Sequence, residues 1–249
     1  MTKIHYKTVF LSDLHLGSKA CKSEALSNFL SSFTCDTLYL VGDIIDFWSM
    51  ARSATYFPQE HINIIRKFLT KAKKGTKIKY VIGNHDENLR DYIDLSSTFG
   101  NIQLANEFDY EPMNGNIYLV THGDLYDQVT LHHKWVAHLG DMAYTILVDL
   151  NTHLNRIRKK FNLKYWSLSG FLKNQTKSVL EFIYAFEDAV IYEAKKRGYS
   201  GVICGHIHQK ADKDINGMHY LNCGDGVESC SAIIENDAGY LELIYWGDL

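Results

Sequence analysis

Residues 8–15 read Thr8-Val9-Phe10-Leu11-Ser12-Asp13-Leu14-His15, an apolar run that ends in an Asp-x-His pair. A short, β-branched run of this kind is typical of a buried strand. Side chains two residues apart at the end of a strand share one face, so Asp13 and His15 could chelate one metal ion. The pair alone is a weak signal, because the chain contains 12 histidines.

Four further groups of metal-ligand residues also follow short apolar runs. They are Gly42-Asp43 after Leu38–Val41, Gly83-Asn84-His85-Asp86 after Lys79–Ile82, His122-Gly123-Asp124 after Ile117–Val120, and Gly205-His206-Ile207-His208 after Val202–Cys204. Carboxylate, imidazole and amide-oxygen ligands suit Zn²⁺, Mn²⁺ or Fe²⁺, whereas a cysteine cluster would indicate structural zinc. The carboxylate of Asp43 could bridge two ions about 3.5–4 Å apart. Together, five strand ends predict one two-metal site that cleaves phosphoesters.

Length and periodicity indicate a single domain over residues 1–249. With 249 residues and 46% hydrophobic content, the chain can bury one sizeable core and carry a modest insertion. The first ninety residues alternate strand and helix in a βαβαβ pattern, with helices near 22–33 and 58–73. A long helical interval, about 127–197, predicts an insertion, after which short strands return.

Composition excludes several classes of protein. The formal net charge of −3 argues against a generally basic, nucleic-acid-binding protein. The cysteines are odd in number and lack C-x-x-C spacing, which argues against a disulfide framework or a thiolate metal site; they are Cys21, Cys35, Cys204, Cys223 and Cys230. Neither a signal-peptide pattern nor a run of about 18 uncharged apolar residues occurs. We therefore expect a cytoplasmic protein.

In this order, the five groups resemble the motifs of the calcineurin-like metallophosphoesterase superfamily. The resemblance spans essentially the whole chain and implies an α/β fold, a two-sheet αββα sandwich with the site at the strand ends. It assigns one metal to Asp13, His15, Asp43 and His208, and the other to Asp43, Asn84, His122 and His206. It also favours Mn²⁺ as the ion, with Fe²⁺ or Zn²⁺ as alternatives.

A narrower resemblance concerns the segments Thr8–Gly17 and Leu38–Trp48 together with the helical insertion. These are similar to the UDP-2,3-diacylglucosamine pyrophosphohydrolases, which cleave a lipid-bearing sugar nucleotide during lipid A synthesis. The segments Tyr165–Ser169 and Gly224–Cys230 are similar to a surrounding branch of uncertain substrate. Family members with lipid-sugar activity tend to carry Arg where this chain has His85 and Glu where it has Asp46.

The residues beside the predicted ligands suggest catalytic roles. In a two-metal mechanism the ions activate a water that attacks phosphorus in line. His85 is then the candidate that stabilises or protonates the leaving oxygen. By resemblance Asp46 orients His85; the alternative is that Asp46 caps a helix. Asp86 and Asp124 are expected to accept hydrogen bonds from metal-binding histidines or from backbone.

Substrate contacts are predicted in the helical insertion. Lys173 and Lys177 are four residues apart and could grip a diphosphate, although a solvated helix face explains them as well. Trp166 is a third predicted substrate contact. The basic run 156–160 could lie on anionic lipid at the cytoplasmic face of the inner membrane, or belong to a soluble helix hairpin.

Three functions remain open from the sequence. The first is a hydrolase of a UDP-2,3-diacylglucosamine-like lipid sugar nucleotide, in which the insertion covers the acyl chains. The second is a cyclic-nucleotide or general phosphodiesterase with an open site. The third is a non-catalytic scaffold, which the complete set of ligand residues makes the weakest alternative.

Overall fold

The computed structural model describes residues 3–52, 56–98, 100–113, 115–126, 155, 158 and 177–247. The chain divides into two compact units, one formed by Met1–Leu125 with Val190–Leu249 and the other by Tyr126–Ala189. The predicted insertion, about 127–197, lies mostly outside the described ranges and stays a prediction. Its last part is helix α4, Lys177–Lys196.

The first sheet contains six strands and carries the start of the chain. In spatial order its strands are β11 (Leu241–Tyr245), β10 (Ser231–Glu235), β1 (Ile4–Leu11), β2 (Phe33–Val41), β3 (Lys77–Val81) and β4 (Ile102–Ala105). Strands β1 to β4 run parallel, whereas β10 and β11 are antiparallel to their neighbours. The carboxyl ends of β1, β2 and β3 therefore meet at one edge.

The second sheet contains five strands. In spatial order they are β5 (Glu107–Tyr110), β6 (Tyr118–Thr121), β7 (Gly201–Cys204), β9 (Met218–Asn222) and β8 (Ala211–Ile215). The three central strands are parallel, and β5 and β8 pair antiparallel at the two sides. Thus β6 and β7 also end at a common edge, and each is followed by predicted ligand residues.

The two sheets pack face to face through a buried apolar layer. Phe10 of β1 stacks on Tyr39 of β2 at 4.7 Å between ring centroids, and the Tyr110 ring of β5 meets Phe10 edge-on at 4.9 Å. Val120, Ile203 and their neighbours complete this layer from the second sheet. The two-sheet α/β architecture predicted from the sequence is confirmed.

Two helices cover the other face of the first sheet. Helix α1, Ser23–Ser32, buries Leu26, Phe29 and Leu30, and helix α3, Gln59–Lys73, buries His61, Ile64, Phe68 and Lys71. Leu69 of α3 lies on the side away from the sheet, where its side chain is 51% exposed. The Lys71 side chain points inward from α3, and its Nζ atom donates to the Phe33 carbonyl oxygen at 2.8 Å.

Two short helices follow strands whose ends carry predicted site residues. Helix α2, Phe47–Arg52, begins directly after Asp46, and a 3₁₀ helix, Glu87–Thr98, begins directly after Asp86. Among the described helices, none combines the length and apolar character needed to cross a bilayer.

Candidate metal centre

The seven predicted ligands lie in loops just beyond the strand ends, and five of them are in left-handed backbone. β1 ends at Leu11, and Asp13 and His15 follow it with φ of 51° and 49°. Asp43, His206 and His208 also have positive φ, of 54°, 68° and 53°. The expectation that strand alternation orients Asp13 with His15 is therefore wrong. Left-handed loops orient them instead, a conformation that is costly outside glycine and that clusters at functional sites.

Backbone hydrogen bonds tie these loops to one another. The Asp13 amide donates to the Gly42 carbonyl oxygen, and the His15 amide donates to that of Asp43, both at 3.0 Å. The His206 amide donates to Asp13 Oδ2 at 3.0 Å, and the His85 amide to Asp43 Oδ1 at 2.8 Å. The loops form one bonded assembly, which holds the strained ligands in place.

The first cluster consists of Asp13, His15 and His208. One ligand atom from each lies within 4.8 Å of the others. His208 Nε2 is 3.2 Å from Asp13 Oδ1 and 3.3 Å from His15 Nε2. Asp13 is fully buried, and its Oδ1 atom accepts no hydrogen bond from the described residues. Converging lone pairs around a buried carboxylate oxygen fit a divalent cation.

The second cluster consists of Asp43, His122 and His206, again with ligand atoms within 4.8 Å of one another. His122 Nε2 lies 3.3 Å from Asp43 Oδ2 and 3.3 Å from Asn84 Oδ1. Asp43 also groups with His15, so its carboxylate reaches toward both clusters. The structure thus brings all seven predicted ligands together, with Asp43 between the two clusters.

The charges of the two clusters favour bound cations. Burial alone would raise the pKa of Asp43, but His122 and the other neighbouring histidines hold it well below its ordinary value. Burial would lower the pKa of His122, yet Asp43 and Asp13 raise it well above its ordinary value. Against the same effect of burial, Asp13 and Asp225 raise the pKa of His208 to about 10. The buried carboxylates therefore stabilise positive charge at these positions.

Asp46 makes the contacts expected under both interpretations of its role. Its Oδ1 atom lies 2.9 Å from His85 Nδ1 and accepts the Ser49 amide hydrogen at 2.7 Å, which caps helix α2. Its Oδ2 atom lies 3.2 Å from His15 Nδ1. Burial would raise the pKa of Asp46, but its hydrogen bonds to the two histidines hold it below the ordinary value. One carboxylate thus links a predicted ligand to the predicted catalytic histidine.

Asp86 and Asp124 are bonded differently from each other. Asp86 accepts hydrogen bonds from the backbone amides of Gly83 and Ile44, at 2.6 and 2.9 Å, and from the Tyr80 hydroxyl at 2.6 Å. It holds the loop that carries Asn84 and His85. Asp124 pairs with Arg90, with 2.6 Å between Oδ2 and the guanidinium.

Two residues at the centre were not predicted as site residues. Asp225 follows β9 and places its Oδ2 atom 3.1 Å from His208 Nδ1. Gly224-Asp225 repeats the Gly-Asp pattern of Gly42-Asp43 after a strand, a signal that could have found it. Trp48 lies against the His85 ring with 4.4 Å between centroids. Trp48 is the last residue of the segment Leu38–Trp48 that carries the narrower resemblance, but its residue type alone gave it no role in the site.

The predicted substrate contacts are not resolved by the described part of the chain. Lys173 and Trp166 fall outside the described residues. Lys177 begins helix α4, but its side chain is outside the description. All three remain predictions.

Comparison with sequence profiles of protein families identifies the family of this chain. The profile of the calcineurin-like phosphoesterases matches residues 6–210. The chain belongs to that family. The phosphoesterase is also 23% identical over 240 residues to a UDP-2,3-diacylglucosamine hydrolase from Haemophilus influenzae (strain PittGG), across 92% of this chain and 94% of that protein.

Two solved structures are similar to this chain along most of its length. An archaeal phosphodiesterase is 14% identical, with coverage of 95% of this chain and 98% of that chain and a TM-score of 0.45. A phosphoesterase from E. coli is 13% identical, with coverage of 96% and 99% and a TM-score of 0.44. Family membership identifies the chain as a metal-dependent phosphoester hydrolase, as the motifs predicted.

Proposed function

We propose that this phosphoesterase uses two divalent cations, Mn²⁺ in the first instance, to hydrolyse the diphosphate of a UDP-2,3-diacylglucosamine-like lipid sugar nucleotide. The observation that carries the proposal is the convergence of seven oxygen and nitrogen side chains on one buried cluster. They are Asp13, His15, Asp43, Asn84, His122, His206 and His208. The similarity to a hydrolase named for that substrate, along almost the full length of both chains, supports the substrate class.

The chain's own residues supply orientation and a proton. When bound, two divalent cations lower the pKa of water and neutralise charge on a phosphoryl group. Water then loses one proton to solvent and forms a bond to phosphorus, while the bond from phosphorus to the leaving oxygen breaks. With Nδ1 of His85 held by Asp46, its Nε2 atom, 3.9 Å from Asp43 Oδ2, holds the proton for that leaving oxygen.

A second candidate function is a phosphodiesterase of broad specificity. It is favoured by His85, because the lipid-sugar hydrolases that the chain resembles tend to carry Arg there. The lipid-sugar proposal carries a further expectation, peripheral contact with the cytoplasmic face of the inner membrane, since the substrate is lipid-linked.

One turnover panel separates these functions. UDP-2,3-diacylglucosamine, UDP-N-acetylglucosamine and bis(p-nitrophenyl) phosphate are compared at one fixed Mn²⁺ concentration. We expect kcat/KM for the acylated nucleotide to exceed that of either acyl-free substrate by about 100-fold or more, because remote binding energy lowers the barrier. Equal or higher values for the small diester would support the broad phosphodiesterase.

The same panel tests His85. The variant His85→Ala should lose about 100-fold or more in kcat on diphenyl phosphate, added to the panel because its phenol leaving group, with a pKa of about 10, needs a proton, and less on bis(p-nitrophenyl) phosphate, whose more acidic leaving group does not. The matched control is His5→Ala, an exposed histidine paired with Asp36 outside the site. An equal loss on both substrates would contradict proton donation by His85.

A further inference from the structure

A buried carboxylate stands behind His208 in the loop that follows β9. Asp225 is 1% exposed, and its Oδ2 atom lies 3.1 Å from His208 Nδ1. On the other side of the same imidazole, Nε2 faces Asp13 Oδ1 at 3.2 Å and His15 Nε2 at 3.3 Å. His208 is therefore held between a carboxylate and the first cluster.

The loop fixes which oxygen of Asp225 can face His208. Its Oδ1 atom accepts three backbone amide hydrogens, from Val227 at 3.0 Å, Glu228 at 2.6 Å and Ser229 at 2.8 Å. Three donors aimed at Oδ1 hold the carboxylate as an acceptor and leave Oδ2 for the imidazole.

This arrangement selects one tautomer of His208. A carboxylate oxygen only accepts, so Nδ1 must donate its hydrogen to Oδ2, and Nε2 of the neutral ring then keeps a free lone pair. That lone pair points to the same small region as the Asp13 and His15 ligand atoms. A cation placed there converts three converging acceptors into ligands.

We propose that Asp225 is a positioning residue that fixes His208 in its Nε2-ligating tautomer and thereby sets the affinity of the Asp13–His15–His208 site for its divalent cation. The inference rests on the proposed two-metal site. It makes the cation affinity of one metal position depend on Asp225, a residue outside the predicted ligand set. The cation affinity of the other metal position does not depend on Asp225.

The variant Asp225→Asn tests the tautomer directly. The amide oxygen of Asn can still accept the three loop amide hydrogens, which places its NH₂ group against His208 Nδ1. Nδ1 must then accept, Nε2 carries the hydrogen, and the ring cannot bind metal. We expect calorimetric titration with Mn²⁺ to show that one of two sites loses about 10–100-fold in affinity, while the other is unchanged.

A second variant separates positioning from loop structure. Asp225→Ala removes the carboxylate and places neither a donor nor an acceptor against Nδ1. If Asp225 acts through the tautomer, Mn²⁺ affinity at the affected site falls in the order wild type, Asp225→Ala, Asp225→Asn. A purely structural role gives the reverse order of the two variants, because the alanine leaves the three loop amides without their acceptor.

The matched control is another Asp–His pair. Asp212 Oδ1 lies 2.9 Å from His219 Nε2, away from both clusters. We expect Asp212→Asn to bind two Mn²⁺ ions with unchanged affinity. Thermal unfolding of each variant in EDTA reports whether its fold is intact before metal is added.

A double variant tests whether Asp225 and His208 act on the same metal ligand. In Asp225→Asn combined with His208→Ala, the second change should cost Mn²⁺ binding nothing beyond the first, because both act on one ligand. Unchanged binding of two ions by Asp225→Asn, or full additivity in the double variant, would overturn the role of Asp225. A wild-type protein that binds no Mn²⁺ would instead contradict the proposed metal site itself.

Discussion

At the residue scale, the Asp46 carboxylate both caps a helix and contacts two histidines of the site. It caps helix α2 through the Ser49 amide, and it also contacts His85 Nδ1 and His15 Nδ1. Asn can keep the capping oxygen, but it sets an NH₂ group against His15. Asp46→Asn should therefore lower kcat by about 100-fold or more with little loss of stability.

Asp46→Ala removes the cap as well as the histidine contacts. We expect it to lose about 1 kcal/mol of unfolding free energy relative to Asp46→Asn, at similarly low activity. Urea unfolding and steady-state kinetics on both variants provide the comparison. Wild-type activity in Asp46→Asn would show that the contact between Asp46 and His15 Nδ1 does not matter for turnover.

Because the amine of Lys71 is buried, we expect the free energy of unfolding to depend on pH in the alkaline range. The Lys71 side chain is buried beneath α3, where burial lowers the pKa to about 8, below the unfolded value of about 10.4. Between these values the unfolded chain holds the proton and the folded chain does not, so stability attributable to Lys71 rises with pH. Relative to Lys71→Met, the wild type should gain about 2 kcal/mol of unfolding free energy between pH 7 and pH 10.

Urea unfolding at the two pH values measures this difference. Because only the change in the difference is used, the lost hydrogen bond to the Phe33 carbonyl oxygen cancels. Lys73→Met, an exposed lysine of the same helix, is the matched control. A difference between wild type and Lys71→Met that does not vary with pH would contradict the burial of an ionisable amine.

At the scale of the elements, glycines after the strands let the loops approach one another. Gly42 follows β2 with φ of 76°, and a Cβ atom there would clash with the His122 ring. Gly75 ends α3 with φ of 101°, and a Cβ atom there would meet nothing within 4 Å. An alanine would have a strained backbone at either position. Only at position 42 would its side chain also displace a predicted ligand, His122.

The two alanine variants should therefore separate strain from displacement. Gly42→Ala should lower kcat/KM by about 100-fold, because small misplacements at a reacting centre are costly. Gly75→Ala should cost about 1 kcal/mol of stability and leave kcat/KM unchanged. Kinetics and thermal unfolding measured on both proteins decide the matter; similar activity loss in both would show that the clash with His122 is not the cause.

Sequence patterns predicted the buried strands well and the exposed elements poorly. β1, β2 and β7 are continuous apolar runs at their buried ends, which only a strand between two layers requires. No apolar run marks β8, Ala211–Ile215, because this strand is polar and lies at the side of its sheet. Residue types also gave no sign of left-handed backbone at Asp13 or His208, since non-glycine residues rarely adopt it.

At the scale of the whole molecule, the centre depends on contacts between distant parts of the chain. His15 and His208 are 193 residues apart in sequence, and their Nε2 atoms are 3.3 Å apart in the fold. The order of strand ends was enough to predict that these residues meet. Their spacing was not predictable, because it depends on how the two sheets pack and on the backbone bonds between loops.

The same limit explains why Asp225 was missed. Its role depends on the turn formed by Val227 to Ser229, which fixes the orientation of its carboxylate, and on its distance from His208. Neither can be read from a Gly-Asp pair alone. The predicted substrate contacts Trp166 and Lys173, and the side chain of Lys177, lie outside the described residues and stay predictions.

The most direct test of the two-metal site is hydrolysis of bis(p-nitrophenyl) phosphate by chelator-stripped protein during titration with Mn²⁺. We predict no turnover in the stripped protein, recovery that is complete near two equivalents of Mn²⁺, and no recovery in Asp43→Asn, which lacks the bridging carboxylate. Full turnover without added metal, or full recovery in Asp43→Asn, would contradict the account.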